Sequence, residues 1–135
     1  MFKIEEVRNK EEYDPLLISR KASFTQAGFY GQWQEMMGRK VRRFEIKKDL
    51  EIIGFFQIIK YPLLFSQNFL YIPHGPILKE TNYLGDEFLK IFRENLVEIG
   101  KEENAIFVRF DFYSHNSNYG SKENLNRYFK KVPLY

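Results

Sequence analysis

Three short runs hold the residues best suited to chemistry. In Pro73-His74-Gly75-Pro76 an imidazole is bracketed by two prolines and a glycine, directly after the apolar run Phe69 to Ile72. Proline has no N–H for a β-ladder, so both prolines end strand pairing. Glycine lets backbone pass close to a bound group and accepts φ > 0. The pattern predicts a rigid corner at a strand end, with its carbonyls and the His74 ring exposed. A structural turn needs only one such residue, so a ligand-side role and a structural one both stay open. In Arg109-Phe110-Asp111 a cation and a carboxylate two residues apart share one strand face, paired with each other or with neighbours, or open to a ligand. Arg39, Lys40, Arg42 and Arg43 form a basic stripe, read either as a phosphate track or as a solvated strand edge.

Other chemistries lack their residues. The absence of cysteine excludes a disulfide framework, a thiolate metal site and a cysteine nucleophile, and fits a cytoplasmic protein. The two histidines, His74 and His115, lie far apart, and neither has a second metal-type ligand at helical or turn spacing. No metal site is expected, and His115 reads as a polar loop residue. There is no Gly-x-Ser-x-Gly elbow and no Gly-x-x-x-x-Gly-Lys phosphate loop. The N-terminal run is charged within three residues, unlike a secretory signal. The longest apolar run, 52–59, is broken by Gly54 and Gln57 and falls well short of the ~18–20 residues that span a bilayer. A formal charge of +3 permits a polyanionic partner without requiring one.

The elements that must position these runs follow from periodicity. With 44 % hydrophobic and 18 % aromatic residues, a chain of 135 residues can bury one core and is not disordered. Residues 2–7 read as a strand. Residues 9–19 read as one or two helical turns around Pro15, with Asn9 as N-cap, and residues 20–25 as a loop. Residues 26–38 read as a helix ending at Gly38. Its Phe29, Tyr30, Trp33, Met36 and Met37 are helically spaced, and the aromatic run Phe24, Phe29, Tyr30 and Trp33 is expected to pack into the core rather than stack on a ligand. Residues 40–47 alternate, with Arg42, Phe44 and Ile46 opposite Arg43, Glu45 and Lys47, as in a half-exposed strand. Residues 51–61 are almost continuously apolar, as in a central strand covered on both faces. These two strands form a hairpin, and 68–72 is a third strand. Residues 81–104 form the clearest helix, with Leu84, Phe88, Ile91, Phe92, Leu96 and Ile99 on one face. Residues 105–112 return as a strand parallel to a neighbour, and 121–131 form a short helix capped by Ser121. The fold class is α+β with α/β-like character: a mixed, mostly antiparallel sheet with flanking helices.

Taken in order, "FTQAGFYGQW", "GRKVRRFEI", "IIGFFQIIKYPL", "LYIPHGPIL" and "AIFVRFDF" resemble the Fem family of non-ribosomal peptidyltransferases, of the FemA, FemB and FemX type. The matching positions are Thr25-Gln26, Gly54 with Gln57, Tyr71 with Gly75-Pro76, and Arg109 with Asp111, in agreement from residue 1 to about 115. The resemblance implies a GNAT-like (acyl-CoA N-acyltransferase-like) fold, with residues 1–135 forming a single domain that is the incomplete first half of a two-domain transferase. It also implies transfer of an amino acid from aminoacyl-tRNA to the stem-peptide amine of a lipid II or UDP-MurNAc-pentapeptide precursor, without metal or cofactor.

The precursor side is then this chain, with Tyr30, Gln32, Tyr71, His74, Gly75, Pro76 and Arg109 as substrate-binding residues and no residue assigned as catalytic. The corner would border the precursor cleft. The tRNA would be met through the absent half. A cytoplasmic location, peripheral contact with the inner membrane surface and self-association through an open sheet edge are the accompanying expectations. Three positions depart from the family pattern. His74 stands for a basic residue, Gln32 for a phosphate-binding lysine in the Trp-containing helix, and Phe112 for the proline of Arg-x-Asp-Pro. A CoA-dependent acetyltransferase shares the fold but needs a glycine-rich pyrophosphate loop at a helix start, which is absent. A non-catalytic half-domain that binds a partner or precursor is the alternative, and a nucleic-acid-binding module a third reading.

Overall fold

The computed structural model describes residues 1–17, 23–111 and 128–130. His115, Phe112 and the helix expected at 121–131, apart from Tyr128–Lys130, lie outside the described residues. The elements are β1 (Phe2–Glu6), α1 (Gly28–Met36), β2 (Val41–Lys48), β3 (Glu51–Pro62), β4 (Asn68–Ile72), β5 (Ile77–Leu78), α2 (Asp86–Glu102) and β6 (Ala105–Phe110). Short 3₁₀ turns occupy 10–12, 15–17, 24–26, 64–66 and 81–83. The strands form one sheet in the order β1-β2-β3-β4-β6, with β5 also pairing on β3. All pairs are antiparallel except β4 and β6, which the α2 crossover makes parallel.

α2 covers one face of this sheet. Its Phe88, Leu89, Phe92, Leu96 and Ile99 pack on Phe44, Ile46, Phe56, Ile58, Leu70 and Ile72. Phe44 and Phe56 are register partners and stack at 4.9 Å, and Phe92 meets Phe56 edge-on. Each buried Phe contributes roughly 2–3 kcal/mol of apolar transfer. The helix starts later than its sequence predicts, because Thr81–Tyr83 closes a 3₁₀ turn and Gly85 becomes the N-cap.

The opposite face is covered differently, and the expected packing of α1 is overturned. Phe24, Phe29, Trp33, Met36 and Met37 are 51–86 % exposed, while Gly31 and Gln34 are the buried residues of the helix. The cause lies in the strands below. β2 and β3 point Arg43 and Gln57 at α1, and a Cβ on residue 31 would collide with Gln57 Oε1 and come within 2.8 Å of Arg43 Nη2. Only the thin side of the helix fits over these two polar side chains, so the aromatic side turns outward.

The basic stripe is more than a solvated edge, because its side chains are tied into the fold. Arg43 is buried and donates to Glu35 at 2.7 Å; Arg42 bonds Glu6 and Glu102, both at 2.8 Å; Lys40 bonds Glu103 at 2.6 Å. Arg39 donates to Gln34 and lies over the Tyr61 ring.

Candidate functional site on the α1 face of the sheet

The corner is a large bulge in one antiparallel pairing. Tyr71 pairs with Ile59, and Ile77 pairs with Phe55. Between these points β3 has three residues while the facing chain has five, and the two extra residues are taken up in the looped-out Pro73–Pro76. β5, too short to show in the sequence pattern, is the resumption of this pairing. Bulges of this kind re-aim side chains next to functional sites.

Bulging leaves backbone groups of β3 without strand partners, and Gln26 supplies them. Its Oε1 accepts from the Gln57 N–H at 2.8 Å, and its Nε2 donates to the Gln57 carbonyl at 3.3 Å and to the Pro73 carbonyl at 2.8 Å. Tyr13 also donates to Gln26 Oε1 at 2.9 Å. Burial raises the Tyr13 hydroxyl pKa well above the usual phenol range, with Arg43 opposing, so it stays a donor. Gln57 in turn donates to the carbonyls of Thr25 and Ala27. Thr25 Oγ1 donates to the Pro73 carbonyl at 3.0 Å and lies 3.2 Å from His74 Nδ1.

The corner therefore differs from its sequence reading in two ways. The Pro73 carbonyl is not exposed but accepts two bonds. The positive φ falls on His74, at 51°, rather than on Gly75. Gly75 is required for a different reason: a Cβ there would lie 2.9 Å from both the Gln26 amide and Ile72 Cγ2. Pro76 follows it through a cis peptide, and both residues are buried.

Beyond the corner, the α1 face of β3, β4 and β6 is a floor of rings. Tyr61, Phe69 and Phe107, one from each strand, stack at 5.2 and 5.0 Å with nearly parallel planes. Tyr71 lies 6.4 Å from Tyr61. The wall is Phe24, Tyr30 and Trp33, in contact at 5.8 Å each. Burial, reinforced by the neighbouring Tyr30 and opposed by Arg39, raises the Tyr61 phenol pKa.

One polar cluster sits on this floor, at the C-terminal ends of the parallel strands β4 and β6. The Tyr71 hydroxyl donates to Asp111 Oδ2. Arg109 Nε is 3.6 Å from Asp111 Oδ1, and its guanidinium lies 5.2 Å from the Tyr71 ring centroid. Burial first, then the hydrogen bond to Asp111 and its charge, push the Tyr71 pKa up to about 12, against the pull of Arg109. Tyr71 is thus a fixed donor, Asp111 an anionic acceptor and the half-exposed Arg109 a cation available to an incoming anion.

Of the residues singled out in the sequence, Tyr71 and Arg109 meet directly, and Tyr30 joins them through Tyr61. His74, Gly75 and Pro76 form the adjoining bulge. Gln32 is exposed on α1. Tyr61, Phe69 and Phe107 were missed, since only strand register brings them together. A separate cleft of about 460 Å³ opens between Glu6, Lys10, Glu35 and Arg43, and residues 73–76 do not line it.

Comparison with known proteins defines the class. The folds of solved N-acyltransferases match this one. A ribosomal-protein-alanine N-acetyltransferase from Brucella melitensis biovar Abortus 2308 superposes with a TM-score of 0.66 at 13 % identity, over 99 % of this chain and 94 % of that one. A Trypanosoma brucei acetyltransferase gives 0.61 at 10 % identity, over 100 % and 96 %. The fold is GNAT-like α+β.

The family model for the FemAB family matches residues 9–132, and the chain belongs to that family. The crystal structure of FemX superposes with a TM-score of 0.73 at 19 % identity, over 93 % of this chain. The chain spans 31 % of the length of that FemX chain. A search of curated proteins returned no match.

Proposed function

We propose that this chain is the acceptor-binding part of an aminoacyltransferase that builds peptidoglycan cross-bridges. It holds a precursor, either lipid II or UDP-MurNAc-pentapeptide, while an amino acid passes from aminoacyl-tRNA to the stem-peptide amine. In that step the amine nitrogen attacks the ester carbonyl, a C–N bond forms, the C–O bond to the tRNA ribose breaks, and the amine proton leaves with the departing hydroxyl. Membership of the FemAB family and the FemX likeness support the reading.

The observation that carries it is the Tyr71–Asp111–Arg109 cluster on a floor of rings. A carboxylate with one oxygen near Arg109 and the other on Tyr71 can still accept from an N–H of the stem-peptide amine, which orients its nitrogen. Arg109 suits a phosphate or carboxylate of the precursor, and the rings suit the flat faces of sugars or a base. The protein's contribution is positioning and charge complementarity, with no covalent intermediate. Charged tRNA places the reaction in the cytoplasm. No helix among the described residues is long and apolar enough to cross a membrane.

Calorimetric titration of UDP-MurNAc-pentapeptide tests the reading. Arg109→Ala is expected to weaken binding about tenfold or more, as loss of a charge-assisted contact does, and His74→Ala to weaken it less. Binding that neither substitution changes would remove the site. Saturable binding, with transfer from charged tRNA neither by this chain nor by a longer one that contains it, would instead favour the non-catalytic binding module.

A further inference from the structure

We infer that one end of the sheet is a docking surface for an anionic lipid membrane. It rests on the transferase reading for its membrane partner, while lipid binding is measured apart from precursor binding.

Four chain segments converge at that end. The turn after α1 and the end of β3 meet there, since the Lys60 N–H donates to the Lys40 carbonyl and Arg39 lies over Tyr61. The start of β6 joins them, because Ala105 pairs with Asn68 at the start of β4. The end of α2 is tied in by Glu103, which bonds Lys40 at 2.6 Å.

Several large apolar side chains at this end are turned to solvent. Met36 is 86 % exposed, Leu64 80 % and Phe65 92 %, with Met37, Ile106 and Phe107 near half. The β3–β4 tip is held as a projection. Phe65 and Ser66 are consecutive non-glycine residues at φ of 62° and 61°, conformations that cost energy and persist where surroundings or function require them. The tip is closed by the Leu63 N–H to Gln67 carbonyl bond at 2.6 Å. An apolar prong that projects, rather than a concave groove, is suited to entering a fluid interface.

The rim supplies the matching charge. Arg39, Lys40, Lys60 and Lys101 outnumber Glu102 and Glu103, and Glu103 is buried against Lys40. Apolar side chains ringed by lysine and arginine are the chemistry of reversible binding to anionic headgroups. With this end on the membrane, the floor of rings leads from the lipid surface towards Arg109 and Asp111.

Co-sedimentation of the chain with vesicles of equal parts phosphatidylcholine and phosphatidylglycerol tests the proposal. The chain is expected to pellet with these vesicles, less with phosphatidylcholine alone, and less in high salt. Leu64→Ser with Phe65→Asn should reduce partitioning about tenfold or more without lowering Tm, since both side chains stand in solvent. Phe29→Ser, an exposed aromatic in the first turn of α1, should leave partitioning unchanged. Three results would overturn the proposal: no pelleting of the wild-type chain, pelleting undiminished by the tip substitutions, or a wild-type dimer in sedimentation velocity that those substitutions dissolve. The last would assign the surface to a second copy of the chain.

Discussion

Under α2 the sheet presents Phe44, Phe56, Ile58 and Leu70, and the helix answers with Phe88, Phe92 and Leu96. Under α1 the same strands present Arg43 and Gln57, and the helix answers with Gly31 and Gln34. The first face is held by non-directional apolar burial and fixes only that the helix lies there. The second is held by a few directional bonds, from Gln26, Gln57, Thr25 and Glu35, which fix where each group sits. Two buried polar atoms on that face, Arg43 Nε and Gln57 Oε1, have no hydrogen-bond partner. The face that places side chains most definitely is thus the less stably packed one, a combination common at functional sites.

The largest expected effect lies on the α2 face. Phe92→Ala removes a ring in contact with Phe56, Phe88 and Phe110, and should cost about 3–5 kcal/mol in urea unfolding. Gln26→Ala should cost about 2–3 kcal/mol, because it strands the Gln57 amide and one bond to the Pro73 carbonyl. Unlike Phe92→Ala, it should speed amide exchange in α1, His74 and Gly75 more than in α2. Equal acceleration of both regions would mean that the two faces are one cooperative unit.

Glu35→Gln separates the faces by pH. Burial pushes the Glu35 carboxyl up, but hydrogen bonds from Arg43 and Lys10 outweigh it and leave the pKa lowered. A carboxylate held lower in the fold than in the unfolded chain stabilises above its unfolded pKa and loses that contribution as pH falls. The wild-type chain should therefore exceed Glu35→Gln by about 1 kcal/mol at pH 7, with the gap closing as pH drops below the usual carboxylate range. The smallest effect belongs to Trp33→Ser, expected to change stability by less than about 0.5 kcal/mol, where a core tryptophan would cost several.

The difference between the faces also explains what the sequence revealed. The apolar stripe of α2, the alternation of β2 and the continuous apolar run of β3 each report burial against something large, and they specify the sheet, its covering helix and the parallel return of β6. The orientation of α1 was hidden. Phe29, Trp33 and Met36 mark one side of a helix, but whether that side faces in depends on Arg43 and Gln57, on the two strands that follow it. Tyr61, Phe69 and Phe107 become neighbours only through the register of three strands. The corner announced itself through Pro73 and Pro76, yet its clamp, Gln26, could be recognised only once β3 was seen to have backbone groups without strand partners.

The central claim is that the α1 face of β3, β4 and β6 receives the precursor. Amide and side-chain NMR shifts on adding UDP-MurNAc-pentapeptide test it directly. The account predicts perturbations concentrated at Tyr61, Phe69, Tyr71, His74 and Arg109, with Phe56, Phe92 and Leu96 unmoved. Shifts confined to the cleft at Glu6, Lys10 and Arg43, or to the α2 face, would contradict it.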